Sequence, residues 1–351
     1  MAVVQLGKKN YIHYNIIYQI YMYNLLFMQM EGWRMDIMGE NRRDILIKVA
    51  RMYYVDGLSQ EEIAKRINVS RSSISRMLKT CLEEKIVEIR INDTSSMGVY
   101  LQNSVKQKYG LDEVLVVPTG FNLEETVINI GKIAAKHLES ILKDGMTLGL
   151  AWGTTVYYFV QAFKPLRKPE VDVVQLIGGT GSRDIKTDGL ELTRSIAEQL
   201  NGKCYVFHAP LIVQSKVLKD LLLKEPDIAI HFSRFDKIDI AVVGIGSSNR
   251  EVDALSKAGY LTPEQSEELI RMGVVGNVCG IHIDINGKLC DVDLNERTVG
   301  ISLDTLRKVP QVIGIAAGPE KVKPIMASLR GKLIKTLITD ESTALALLQN
   351  Q

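Results

Sequence analysis

The stretch SQEEIAKRINVSRSSISRML, residues 59–78, decides how the N-terminal part of this sequence folds. Ser59 and Glu62 form a capping box, which is a signature of a helix start. Asn68 then marks a tight turn, and Ser70 caps the following helix, which begins RSSISRML. Two short helices joined by a tight turn are typical of a helix-turn-helix, so the stretch predicts a DNA-binding module.

The helix after Ser70 carries the prediction of DNA readout. Its apolar side chains share one inward stripe, which comprises Ile74, Met77, Leu78, Cys81 and Leu82. Arginine pairs with guanine edges, and serine contacts bases or phosphate. The polar side chains outside the stripe are therefore suited to contacts in the major groove. A run of charged residues alone would indicate only a solvated helix face. The spacing of the whole motif is what favours DNA binding. The predicted DNA contacts are Ser59, Gln60, Ser70, Arg71, Ser72, Ser73, Ser75, Arg76 and Lys79.

Positive charge is concentrated in the same module. Residues 41–90 contain eleven basic and seven acidic residues, a local net charge of +4, whereas the 351-residue chain carries only +2. Near-neutrality excludes a histone-like or polybasic membrane-surface protein, but a basic domain within a neutral chain is what a DNA binder requires. Residues 85–91, KIVEIRI, alternate like a strand and predict a wing beside the helix-turn-helix.

Residues 1–37 do not match the rest of the chain. The segment 11–28 is apolar but is interrupted by polar side chains, so it favours neither a membrane span nor a signal peptide. Trp33-Arg34 can be encoded as TGGAGG, which resembles a ribosome-binding site just upstream of Met35 and Met38. We therefore expect residues 1–37 to be a non-native or disordered extension. The DNA-binding domain is predicted at 38–92, a polar linker at 93–98 and an effector domain at 99–351.

The effector domain alternates near-continuous apolar strands with amphipathic helices. The predicted strands are 114–117, 147–151, 171–177, 203–207, 238–243, 278–285, 312–316 and 333–338. The predicted helices include 99–109, 123–142, 190–200, 263–271, 320–329 and 340–348. This alternation predicts a parallel sheet covered on both faces. The fold class is therefore α/β, a winged helix-turn-helix followed by a Rossmann-like domain.

Three glycine-rich loops follow predicted strands of this domain. They are WGTT at 152–155, GGTG at 178–181 and GIGS at 244–247. One such loop indicates only a tight turn, but three at equivalent ends of one sheet favour an anionic ligand at helix N-termini. Asp284 and Lys321 add polar groups at such ends, although an exposed first-turn position remains open for Lys321.

The four cysteines indicate a reducing compartment. Cys81, Cys204, Cys279 and Cys290 never form a CxxC pair, which argues against a zinc knuckle or a redox dithiol. We expect buried core thiols in a cytoplasmic protein. No metal site and no cofactor are predicted.

Motif order and spacing resemble the SorC family of bacterial transcriptional regulators over residues 41–351. The resemblance rests on LSQEEIAKRINVSRSSISRMLKTCLEEKIVEIRI, HAPLIV, DIAVVGIGS, GNVCGIHIDINGK and GPEKVKPIMASLRGKLIKTLITDESTALALL. It implies an effector domain of sugar-isomerase type, related to ribose-5-phosphate isomerase and glucosamine-6-phosphate deaminase. It also implies a phosphorylated sugar effector and a homotetramer.

The resemblance assigns several effector contacts by position. Asn277 stands where family members often have an acidic residue, and Ile177 occupies a position that is arginine in some members that bind a bisphosphorylated sugar. The absence of that arginine favours a monophosphate. Together, the loops and the resemblance predict effector contacts at Gly153, Thr154, Thr155, Gly178, Gly179, Gly244, Gly246, Asn277, Asp284 and Lys321.

Two functions stay open at this point. The first is a regulator of carbohydrate metabolism that binds double-stranded operator DNA and is modulated by a sugar phosphate. The second is a sugar-phosphate isomerase or deaminase that carries a DNA-binding module, which needs a positioned acid and base. His282 and Asp284, two residues apart on a predicted strand, are the pair the sequence offers, although a structural strand pair is favoured. We predict the regulator and no enzymatic activity.

Overall fold

The computed structural model describes residues 2–5, 11–14, 42–84, 86–87, 89–90, 96–180, 185–249 and 253–350. The chain divides into two compact units, Met1–Thr94 and Ser95–Gln351. The predicted linker, 93–98, is wrong at its C-terminal half, because helix α4 (Ser96–Tyr109) begins there. Serine and glycine in this segment favour turns, which is why a linker was predicted. The first turn of a helix tolerates both residues, because the N–H groups there have no intrahelical acceptors. Residues 93–95 lie outside the described ranges.

The first unit contains the three predicted helices. They are α1 (Arg42–Tyr54), α2 (Gln60–Arg66) and α3 (Arg71–Glu83). The capping box is confirmed, because the Glu62 N–H donates to Ser59 Oγ at 3.2 Å and the Ser59 N–H donates to Glu62 Oε2 at 2.8 Å. The tight turn lies at Asn68, whose φ is +53°. Apolar side chains from all three helices share one buried core that includes Val49, Ile63 and Ile74.

The predicted wing strand is shorter than expected. Strand β3 covers only Ile89–Arg90 and pairs antiparallel with β2 (Tyr11–Tyr14), which pairs with β1 (Ala2–Gln5). Residues 86 and 87 are not in a strand, because the N–H groups of Ile86 and Val87 both donate to the Cys81 carbonyl and close the end of α3. Residues 85, 88 and 91 lie outside the described ranges. Most of residues 1–37 does also, and their non-native origin stays a prediction.

The second unit is built on a parallel sheet, as predicted. Its strands are β4 (Glu113–Val117), β5 (Thr147–Leu150), β6 (Asp172–Gln175), β7 (Cys204–Tyr205), β8 (Ile240–Ser247), β9 (Gly276–Val278), β10 (Ile281–Ile283), β11 (Gln311–Ile315) and β12 (Thr336–Asp340). Seven of them are parallel neighbours in the order β4-β12-β11-β8-β5-β6-β7. Long apolar runs form these strands because both faces are covered.

Helices cover the two faces of this sheet. Besides α4, the helices of this unit are α5 (Leu123–Ile141), α6 (Thr154–Ala162), α7 (Gly189–Ala197), α8 (Lys216–Leu222), α9 (Pro226–Phe232), α10 (Ala254–Lys257), α11 (Pro263–Arg271), α12 (Asp293–Arg297), α13 (Leu303–Lys308), α14 (Val322–Arg330) and α15 (Glu341–Gln349). Helices α5, α6 and α7 share one buried core with alternate strand residues. Helices α4, α14 and α15 share the other.

The predicted strand 278–285 is instead a hairpin. Strands β9 and β10 pair antiparallel around Cys279 and Gly280, whose φ angles of +53° and +75° are those of a type I′ turn. Cysteine is not the usual residue at the first central position of such a turn, so the turn was not predicted. The hairpin pairs with the end of β8, where Gly246 faces Asn277. This pairing brings Asn277 to the carboxyl end of the parallel sheet.

Candidate functional site

Helix α3 presents an exposed basic face. The predicted contacts Arg71, Ser72, Ser75, Arg76 and Lys79 are all exposed on it. The opposite side is buried at Ile74, Leu78 and Cys81, which confirms that part of the apolar stripe. Leu82, placed in the stripe from the sequence, is 41% exposed, because it lies in the last turn where the helix leaves the core.

The remaining predicted DNA contacts sit at helix starts. Ser70 Oγ accepts from the Ser73 N–H at 3.1 Å and lies 2.8 Å from the hydroxyls of Ser72 and Ser73. Ser59 is engaged in the capping box, while Gln60 is half-buried at the first position of α2. The structure therefore gives Ser59 and Ser70 capping roles in addition to any contact with DNA.

The crevice between β5 and β8 is a topological switch point of the sheet. The chain leaves β5 for β6 on one side and leaves β8 for β11 on the other. Ligands of open α/β sheets bind at such a point, beyond the carboxyl ends of the strands. A cleft of about 470 Å³ lies there. Seven predicted effector contacts line it: Gly153, Thr154, Thr155, Gly244, Gly246, Asn277 and Lys321.

The N-terminus of α6 opens into this cleft. Gly153, with φ +110°, is the N-cap and provides no side-chain cap. The first helical N–H to donate within the helix is that of Tyr157, which reaches the Gly153 carbonyl at 2.8 Å. Within the described ranges, the N–H groups of Thr154, Thr155 and Val156 have no acceptor. Three free N–H groups at the positive end of a helix dipole form a binding place for an anion.

Asn277 is a buried polar group aimed at the same cleft. Its side chain is only 6% exposed, and its amide makes no hydrogen bond with any residue the structure describes. Because Asn277 lines the cleft, a ligand or water there can complete the hydrogen bonds of its amide. Gly246 provides the room, because a Cβ there would lie 2.4 Å from Asn277 Nδ2.

Lys321 adds a cation to the cleft. The side chain is half-buried, and its ammonium forms no ion pair or hydrogen bond with the described part of the chain. The pKa of Lys321 is lowered to about 8. Burial is the largest cause of this shift; the carboxylate of Asp253 acts in the opposite direction, and the charge of Lys257 adds to the lowering. Lys257 also lines the cleft. An anion between the two lysines would relieve both the desolvation and their mutual repulsion.

Three predicted effector contacts do not line the cleft. Gly178 lies against another segment, where a Cβ would meet the Pro210 carbonyl oxygen at 2.5 Å. The Gly179 N–H donates to the Ala209 carbonyl at 2.8 Å. Asp284 closes the turn after β10, where its Oδ1 accepts from the N–H groups of Asn286 and Lys288, both at 2.9 Å. Each of the three has a structural role in this unit.

His282 and His137 also lie away from the cleft. His282 is 2% exposed, and its backbone N–H donates to Asn295 Oδ1 at 2.7 Å. Burial lowers the pKa of its imidazole. Its neighbour two residues on, Asp284, is occupied in the turn. His137 is buried on α5, with Nε2 3.8 Å from Glu113 Oε2.

Sequence reasoning missed Glu124 and Tyr158, which line the cleft from α5 and α6. The Tyr158 hydroxyl donates to Glu124 Oε1 at 2.9 Å. This pairing depends on the close approach of the two helices at Gly131, where a Cβ would lie 2.6 Å from the Tyr158 carbonyl carbon. A glycine in the middle of a long amphipathic helix was the signal that indicated such an approach.

No metal centre is built from the described residues, among which no three potential ligands cluster. Within the same ranges, no helix is long and apolar enough to span a membrane. Cys81, Cys279 and Cys290 are buried, as expected, and burial raises the pKa of the Cys279 thiol to about 12. Cys204 is exposed because it lies on β7, at the edge of the sheet, and its expected burial is wrong.

Comparison with known proteins is consistent with both sites. A family model described as "Putative sugar-binding domain" matches residues 96–349, and one described as "Sigma-70, region 4" matches residues 39–84. The sorbitol operon regulator of Klebsiella pneumoniae is 32% identical over 88% of this chain and 100% of its own length. The deoxyribonucleoside regulator of Bacillus subtilis is 30% identical over 89% of this chain and 100% of its own. The crystal structure of full-length SorC from Klebsiella pneumoniae superposes with a TM-score of 0.75 at 31% identity, covering 88% of this chain and 99% of that one.

Proposed function

Since the chain belongs to the SorC family of transcriptional regulators, with a helix-turn-helix and a sugar-binding domain, we propose that a sugar monophosphate controls its binding to operator DNA. In this proposal α3 enters the major groove, and the cleft between β5 and β8 holds the effector. Coupling between two such sites is typically worth about 1–3 kcal/mol, or about 5–150-fold in operator affinity.

One observation carries the phosphorylated effector. The free N–H groups after Gly153, the unpartnered amide of Asn277 and the ammonium of Lys321 all line one cleft. Each of these groups suits an oxygen-rich anion, and together they supply backbone donors, a neutral amide and a positive charge. The names of the two relatives reported above mention sorbitol and deoxyribonucleosides, so a phosphorylated product of such compounds is the class we propose.

The enzyme alternative has less support. Isomerisation or deamination needs an acid and a base within reach of one substrate. The pair offered by the sequence, His282 and Asp284, does not line the cleft. The relatives compared above are named as regulators. We propose that the cleft binds its sugar without converting it, which an assay of sugar-phosphate turnover with purified protein would test.

We also propose that the protein acts in the cytoplasm as a homotetramer. The effector unit leaves apolar side chains exposed on α8, where Val217 is 68% and Leu221 is 56% exposed. Exposed apolar side chains of this kind are commonly covered at subunit interfaces. Light scattering of the purified protein should give a mass about four times that of the chain, and a monomeric mass would contradict the proposal.

A ligand screen followed by a gel shift tests the central proposal. We expect sugar monophosphates to raise the thermal midpoint of the purified protein, because a ligand that binds only the folded state stabilises it. The corresponding free sugars should have little effect, since they lack the anion that the cleft is built to bind. Each stabilising compound should also change the operator gel shift. Stabilisation by free sugars alone, or none by any sugar phosphate, would contradict the proposal.

Effector affinity is expected to fall as the pH rises above about 8. The pKa of Lys321 in the free protein is about 8, so its ammonium is mostly charged at pH 7 and mostly neutral at pH 9. A phosphate monoester stays doubly charged over this range. Because the anion binds the protonated lysine, affinity should fall about tenfold between pH 7 and pH 9. Isothermal titration calorimetry checks this, and a flat profile would contradict a direct contact with Lys321.

A further inference from the structure

The charged side chains that line the cleft are of both signs. Lys257 and Lys321 are the cations, on α10 and on the turn after β11, and Glu124 on α5 is the acid among the described lining residues. The proposed phosphate needs the cations, the free N–H groups and the amide, but no carboxylate. Glu124 is therefore the one charged group of this lining that phosphate binding does not explain.

Glu124 is held in a defined place. The Tyr158 hydroxyl donates to Glu124 Oε1 at 2.9 Å, and Tyr158 lies four residues after Thr154 on the same face of α6. The close approach of α5 and α6 at Gly131 fixes the two helices against each other. A carboxylate offers about four acceptor positions. Tyr158 uses one of them, which leaves the others for donors that enter the cleft.

We infer that Glu124 is a specificity-determining residue, which accepts hydrogen bonds from the hydroxyl groups of a monophosphorylated sugar and excludes a second anionic group. The inference rests on the proposed function and adds to it the chemistry of the non-phosphorylated end. Hydroxyl donors gain a charged acceptor, whereas a second phosphoryl or a carboxyl group meets like charge. Repulsion of this kind is a common means of discriminating between ligands.

The test compares Glu124→Gln with the unaltered protein. Calorimetry would be run with three pairs of probes: fructose 6-phosphate and fructose 1,6-bisphosphate, glucose 6-phosphate and glucose 1,6-bisphosphate, and ribose 5-phosphate and ribose 1,5-bisphosphate. The result is read on the pair whose monophosphate binds the unaltered protein most tightly. We expect Glu124→Gln to lower the affinity for the monophosphate several-fold and to raise the affinity for the bisphosphate, so that the ratio of the two affinities changes about tenfold.

Two further variants sharpen the result. Glu267→Gln makes the same charge change on an exposed position of α11 outside the cleft, and we expect it to leave the ratio unchanged. Tyr158→Phe keeps the ring but removes the hydroxyl that holds Glu124, and we expect a smaller shift of the ratio in the same direction.

The outcomes separate this inference from the function on which it rests. If the unaltered protein binds monophosphates but Glu124→Gln leaves the ratio unchanged, or strengthens both members of a pair equally, the specificity role is wrong and the proposed function stands. If neither these probes nor any sugar phosphate of the thermal screen binds the unaltered protein, both are wrong. If the Glu124→Gln variant is folded, as judged by its thermal midpoint, and shows the expected ratio, the result supports both the specificity role and the proposed function.

Discussion

Replacement of Arg71 or Arg76 by alanine is expected to weaken operator binding by about 1–3 kcal/mol for each arginine, which is about 5–150-fold. Both side chains are exposed on α3, while the opposite side of that helix is buried against α1 and α2. A guanidinium that pairs with a guanine edge loses two hydrogen bonds when it is truncated. Gel shifts or fluorescence anisotropy with the operator at one fixed salt concentration measure the loss.

A charge-matched control separates readout from general electrostatics. Arg271→Ala removes one positive charge from an exposed position of α11 in the other unit, and we expect operator affinity to stay within about twofold. Neither α3 variant should change binding of a sugar phosphate, since that binding uses a cleft in the second unit. If both Arg71→Ala and Arg76→Ala bind the operator normally, the assignment of α3 as the recognition helix is wrong.

Lys321→Met is expected to abolish most of the response to the effector. A hydrogen bond from an ammonium to a phosphate is worth about 1.5–3 kcal/mol, so effector affinity should fall about 10–150-fold. The unliganded protein should not lose stability. Burial lowers the pKa of Lys321, which means that the folded state disfavours its charged form, and methionine fills a similar volume without that cost. Calorimetry with the best monophosphate and the thermal midpoint measure the two effects.

Lys323→Met provides the matched control for this variant. Lys323 lies two residues further along the chain, is exposed, and does not line the cleft. We expect it to bind the effector as the unaltered protein does. The pH dependence above pH 8 should also disappear in Lys321→Met and persist in Lys323→Met. Loss of effector binding in both variants, or in neither, would contradict a specific role for Lys321.

Features specified by neighbouring residues were predicted well. The capping box at Ser59, the cap at Ser70 and the helix at Pro263–Arg271 each depend on interactions within one helical turn. The parallel sheet was also predicted, since a buried strand needs only a short apolar run. Seven of the ten predicted effector contacts line one cleft, because the ends of parallel strands meet at one edge of a sheet.

Features that depend on distant contacts were not predictable in this way. Residues 278–285 form one apolar run, and only the positive φ angles of Cys279 and Gly280 turn it into a hairpin. Asp284 has a residue type suited to ligand binding, but local N–H groups occupy its carboxylate. Glu124 reaches the cleft through the packing of α5 on α6; Gly131 indicates a close approach to α5 but does not identify the helix that makes it.

The cap at Gly153 has a consequence for how this scaffold diversifies. The anion-binding place after it consists largely of main-chain N–H groups, which substitutions of most side chains leave in position. Glu124 and Tyr158 line another part of the same cleft, and their side chains can be replaced by single mutations. Under the proposed function, substitutions at these side chains would change which sugar is accepted, while the main-chain groups that hold its phosphate would stay in place.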